Sequence, residues 1–153
     1  MKASYALLAT ANLLLMMLTA VIGFQVDGEK GFSRHFLLGV MACLFTCFVH
    51  IVLFMYFVVQ EKVLAQAIRQ HDLDISYHPQ IQAFKSRALR LSLLGILSVI
   101  VTGSLGAAIE IRLDPGVHLV SAFVAILINA IVFYFQYALV HDYGGMFHAA
   151  FGE

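Results

Sequence analysis

The sequence predicts an all-α integral membrane protein, an up-down-up-down bundle of four helices made from two duplicated transmembrane hairpins. Three observations carry that prediction. Of the 153 residues, 61% are hydrophobic and only 12% charged, with a mean hydropathy of +0.90, whereas a soluble domain carries about 25% charged residues. Four apolar runs are each long enough to cross the ~30 Å hydrocarbon core at ~1.5 Å per residue. The chain also matches itself at an offset of 83 residues.

The first run, 3–24, follows a single Lys2. A signal peptide would start in the same way, but the run is long for one and no A-x-A site follows it. It is read as a retained helix, with Asn12 and Thr19 on one face. Gly28 and Gly31 break the polar connection behind it. The second run, 35–60, has no Asp, Glu, Lys or Arg between its ends. His35, Gly39, Cys43, Thr46 and His50 recur along it at spacings of three and four, a seam on one helix face. Polar groups in hydrocarbon are costly, so such a seam belongs inside a bundle.

Residues 61–90 form the longest polar segment and are expected as a cytoplasmic loop. Its first part, EKVLAQAIRQ, is rich in helix formers and extends the second helix; Pro79 marks a stop and restart. The third helix is expected at 91–109, where Ser98, Thr102 and Gly106 make a stripe of small residues that lets backbones approach. The turn EIRLDPG leads to the fourth helix, 117–140, and a short tail. Six Lys and Arg residues lie on the side of the termini and three on the other. That count places both termini in the cytoplasm, on the inner membrane if the source is bacterial.

The self-match aligns Thr19 with Thr102, Gly23 with Gly106, Asp27 with Glu110 and His35 with His118. Ala42, Leu44, Thr46 and Val49 fall on Ala125, Leu127, Asn129 and Val132. Two hairpins related by a pseudo-two-fold axis along the membrane normal would carry His35 and His118 at one depth. Two imidazoles facing each other across a bundle are a known way to hold haem iron at both axial positions. Arg34 and Arg112 lie on the same side and can neutralise propionates. The competing interpretation makes each histidine an interfacial residue bonded to water or a loop.

His50 lies fifteen residues beyond His35, ~22 Å along the helix. The repeat sets Phe133 opposite it, so a second haem lacks a partner ligand and His50 is expected to bond Thr46 or a neighbouring helix. Cys43, Cys47 and His50 spell C-x3-C-x2-H, which could bind copper or zinc but reads better as packing. His71, His78, Asp72 and Asp74, and likewise His141, Asp142 and His148, read as solvated polar residues; Glu110 is expected in a salt bridge with Arg112 or Arg34. No phosphate-binding loop, zinc-protease motif, nucleophile elbow or C-x-x-C-H occurs, and no basic face suggests nucleic acid.

In helix count and histidine placement the chain resembles the small four-helix membrane anchors and cytochrome b subunits of respiratory complexes. Its histidines do not reproduce the paired spacing of the two-haem members. The resemblance implies a non-catalytic electron-transfer subunit with one haem b per chain, in contact with lipid, with other membrane subunits or a second copy, and with quinone. The alternative is a cofactor-free accessory or assembly subunit of a larger respiratory or photosynthetic complex.

Overall fold

The structure is a computed structural model that describes residues 1–71, 74–108 and 114–151. Four helices account for nearly all of them: α1 (Lys2–Gly23), α2 (Gly28–His71), α3 (Tyr77–Ala107) and α4 (Pro115–Phe151). Each is long and apolar enough to cross a membrane.

Three of the four run further than the hydropathy of the sequence suggests. Only the middle of each helix must be apolar to cross lipid; polar helix formers continue it at either end. Thus α2 begins at Gly28, whose φ of +60° sets the chain into the helix, and continues to His71. The segment EKVLAQAIRQ extends the second helix as expected, and residues 77–90, expected within the loop, are helical as well. Pro79 is the third residue of α3, a first-turn position where no N–H is needed. The Asp74 carboxylate accepts the Ser76 N–H at 2.8 Å just before this helix. The same device opens α4: Pro115 is its first residue, and Asp114 accepts the Gly116 N–H at 2.7 Å. The tail continues α4 to Phe151, through Gly144 and Gly145.

The helices form a four-sided bundle in which α1 packs on α2, α2 on α3, α3 on α4 and α4 on α1. Its outward faces are apolar, with Leu7 71%, Tyr134 70% and Leu44 66% exposed. A surface of this kind fits lipid, because every backbone polar group within the helices is satisfied internally.

The interior divides into two zones along the bundle. The larger is tightly filled and aromatic, built on Tyr5, Leu53, Phe57, Ile81, Phe133 and Tyr143. Phe57, Phe84 and Tyr143 meet there at centroid distances of 5.8–6.2 Å. The smaller zone is built, among the described residues, on the buried Met16, Ala42, Val99 and Ala125. These side chains are small, and the bundle is hollow beside them.

Candidate functional site: a two-histidine cavity

The hollow is a cavity of about 110 Å³ reached by all four helices. Its fourteen lining residues form seven pairs, each separated by 83 positions. Met16 pairs with Val99, Thr19 with Thr102, Ala20 with Gly103 and His35 with His118. Gly39 pairs with Ala122, Ala42 with Ala125 and Cys43 with Ile126.

His35 and His118 face each other across this space, with ring centroids 6.0 Å apart and planes at 75°. Each is held in the same way by the preceding helix. His35 Nδ1 lies 3.2 Å from the Thr19 carbonyl, and His118 Nδ1 lies 3.1 Å from the Thr102 carbonyl. A carbonyl oxygen only accepts, so Nδ1 carries the proton and Nε2 is the bare nitrogen. Neither Nε2 has a hydrogen-bond partner among the described residues.

Both threonine hydroxyls bond their own helices, Thr19 to Leu15 O at 2.8 Å and Thr102 to Ser98 O at 2.9 Å. They also reach the following helix at Leu38 O and Ser121 O. Glycine opens the room for each ring. A Cβ on Gly23 would lie 2.8 Å from His35 Cε1, and one on Gly106 would lie 2.8 Å from His118 Cε1. The aligned T-x3-G and histidine are therefore one structural unit used twice: a carbonyl to orient the ring and a glycine to admit it.

The other expected site residues divide. Arg34 is exposed next to His35 and forms no ion pair among the described residues. Arg112, Glu110 and Asp72 lie outside the described residues, as does the His71 side chain. Cys43 lines the cavity, while Cys47 does not; both are free thiols. Among the described residues no three His, Cys, Asp or Glu side chains converge as a metal site. Asp74, His141, Asp142 and His148 are exposed, as expected of solvated groups.

His50 does not bond Thr46. Thr46 is engaged by Asn12, Nδ2 to Oγ1 at 3.0 Å, and donates to Ala42 O at 2.7 Å. His50 instead meets Asn129 Oδ1 at 3.0 Å and Gln136 Oε1 at 3.1 Å, both on α4. Tyr5 donates to the same Gln136 oxygen at 2.7 Å. The Asn129–Gln136 spacing of seven marks one face of α4 in the sequence, but nothing in the sequence pairs that face with His50. The His50 ring also stacks on Phe133, with centroids 4.9 Å apart and planes 23° apart.

No family model matches the chain, and no curated protein or solved structure gives a match.

Proposed function

We propose that the protein is a small membrane electron-transfer subunit in which His35 and His118 hold the iron of one haem b from both sides. The observation that carries this reading is the pair of imidazoles 6.0 Å apart across the cavity, each with Nδ1 tied to a carbonyl and Nε2 free. Two metal–imidazole bonds of about 2 Å each, with the two ring radii, span about 6 Å between centroids. Donation of the distal N–H to a backbone carbonyl is the usual second contact of a ligating histidine; it fixes the tautomer and raises basicity.

The donor set therefore fits haem. The cavity is smaller than the about 300–1,000 Å³ of ordinary small-molecule sites, so the helices must part to admit a macrocycle. Ala20, Gly39, Gly103 and Ala122 are the positions where that separation costs least packing. Haem would supply one-electron chemistry; the chain would set its position, orientation and dielectric.

We also infer that the chain is an internal duplication of two hairpins in up-down-up-down order, with a pseudo-two-fold axis along the membrane normal. The seven lining pairs and the duplicated Thr–His–Gly contacts support this, as does the four-residue connection 24–27 between α1 and α2, too short for a crossover. The Lys and Arg distribution supports cytoplasmic termini, and hence a haem near the outer face. Lipid, other membrane subunits or a second copy, and quinone are the partners this reading calls for.

The test is an absorption spectrum of the protein purified in detergent from cells supplied with haem, first oxidised and then reduced with dithionite. A Soret band and a sharp reduced α band at one haem per chain are expected. A featureless spectrum would overturn the haem reading in favour of a cofactor-free accessory or assembly subunit.

A further inference from the structure

The third buried histidine lies outside the cavity, and its surroundings define a different kind of site. His50 is fully buried in the middle of α2. Both its ring nitrogens meet side-chain amides of α4, and the orientation of each amide follows from the groups that its NH2 meets.

Asn129 places its Nδ2 2.8 Å from the Ala125 carbonyl and 2.9 Å from Ser98 Oγ. The Ser98 hydroxyl proton is already donated to Gly95 O at 2.7 Å. Reversing the amide would set Oδ1 against the Ala125 carbonyl, oxygen to oxygen. Asn129 must therefore present its oxygen to His50 Nε2.

Gln136 is fixed through one more step. The Ser92 hydroxyl donates to the His50 carbonyl at 3.2 Å and so accepts from Gln136 Nε2 at 3.0 Å. Oε1 is left facing His50 Nδ1, with Tyr5 donating to it from α1.

A neutral imidazole has one N–H and one lone pair. Between two oxygens, either tautomer directs its lone pair at an oxygen about 3 Å away. With both amides in these orientations, only the imidazolium, with two N–H groups, satisfies both contacts. The stacked face of Phe133 at 4.9 Å adds a third contact that favours a cation over a neutral ring.

We propose that His50 is a proton-binding site, a buried imidazolium caged by Asn129, Gln136 and Phe133 in the centre of the bundle. Its ligand is the proton itself. The groups facing it are Tyr5 on α1, through Gln136; Ser92 and Gly95 on α3; and Asn129, Phe133 and Gln136 on α4. Tyr5 is the one titratable group among them, and none is Asp, Glu, Lys or Arg. Proton uptake here thus changes the charge of the bundle interior by one unit with no carboxylate to offset it. Such a change is expensive in hydrocarbon and occurs where a polar cage is already formed. His50 and the side chains that meet it, Asn129, Phe133 and Gln136, are not cavity-lining residues; the Ala125 carbonyl that orients Asn129 belongs to one that is.

The experiment is nitrogen NMR of ¹⁵N-histidine-labelled protein in lipid nanodiscs, with the His50 signals assigned by their loss in His50→Gln. The titration runs from about pH 9 to pH 5, a window centred on the imidazole range, with helicity followed by circular dichroism. The expected result is reversible uptake of a second ring proton by His50 within the window, with helicity unchanged. A ring that keeps one bare nitrogen down to pH 5 would overturn the proposal. Removing one acceptor with Asn129→Leu is expected to lower the proton affinity by about tenfold or more; an unchanged titration in the folded variant would also overturn it. Where that variant does not fold, the wild-type titration decides alone.

Discussion

The two histidine regions of the bundle use the same side chain in opposite ways. At the hollow end, His35 and His118 each have one nitrogen tied to a backbone carbonyl, and the other faces space between small residues. In the filled middle, both nitrogens of His50 are taken by amides, its ring is covered by Phe133, and Gly95 presses against it. A bare nitrogen beside a cavity is available to a ligand from outside the chain. A ring with both nitrogens engaged has room only for a proton. The number of intramolecular hydrogen bonds thus separates the candidate metal ligand from the candidate proton site, although all three residues look alike in sequence.

The sharpest way to break this contrast is to exchange losses between the two regions. His35→Ala and His118→Ala are each expected to abolish haem retention, read from the absorption spectrum of the purified variant. His50→Gln is expected to keep haem at the wild-type ratio. A His50 variant that lost haem while remaining folded would put the ligand in the wrong region.

The glycines provide a second comparison. A Cβ at Gly95 would lie 2.2 Å from His50 Nε2 and 3.0 Å from Asn129 Oδ1. Gly95→Ala must therefore expel the ring from its cage, at a cost of about 1–3 kcal/mol by the usual scale of overpacking. Gly103, on the same helix, has nothing within 4 Å of a built Cβ. Gly103→Ala is expected to stay within about 0.5 kcal/mol of wild type. Thermal unfolding of both in one detergent measures the difference. Equal stabilities would mean that His50 is less tightly held than its distances imply.

Asn12→Ala should act more gently. It removes the bonds to Thr46, but Thr46 keeps Ala42 O as an acceptor, so no polar group is stranded. Interhelical hydrogen bonds in membranes are worth about 0.6 kcal/mol on average, and the same unfolding assay should show a loss of that order.

Much of this arrangement was legible in the sequence, because lipid constrains composition strongly. Four apolar runs gave four helices, and the facing pair His35 and His118 was indicated by the offset of 83. The helix ends were less legible. The extension of the second helix through EKVLAQAIRQ was legible from its helix formers. Residues 77–90 and 141–151, by contrast, are polar enough to look like loops, yet they continue helices whose apolar middles are already anchored. The amide cage was hidden for another reason. Asn12, Asn129 and Gln136 each show a polar position on a helix face, but which face meets which depends on how the four helices pack. Thr46 lies one turn from His50 and was the natural partner by spacing; in the bundle α1 reaches it first.

The smallest effect belongs to the polar end of the bundle, outside the apolar zone. Lys85 on α3 pairs with Glu61 on α2, and this hydrogen bond holds the Glu61 carboxyl below its ordinary range. A carboxylate whose acidity is increased by folding adds stability that is fully present above its unfolded pKa and is lost as pH falls through its lower folded value. Exposed ion pairs are worth about 0–1 kcal/mol, so the contribution is modest and should fade with added salt. Wild-type protein is expected to lose slightly more stability than Lys85→Met on acidification below about pH 4, the ordinary glutamate range. Identical acid profiles for the two would mean that the pair adds nothing. The proposed haem and proton sites involve none of these residues, so that result would leave both proposals unaffected.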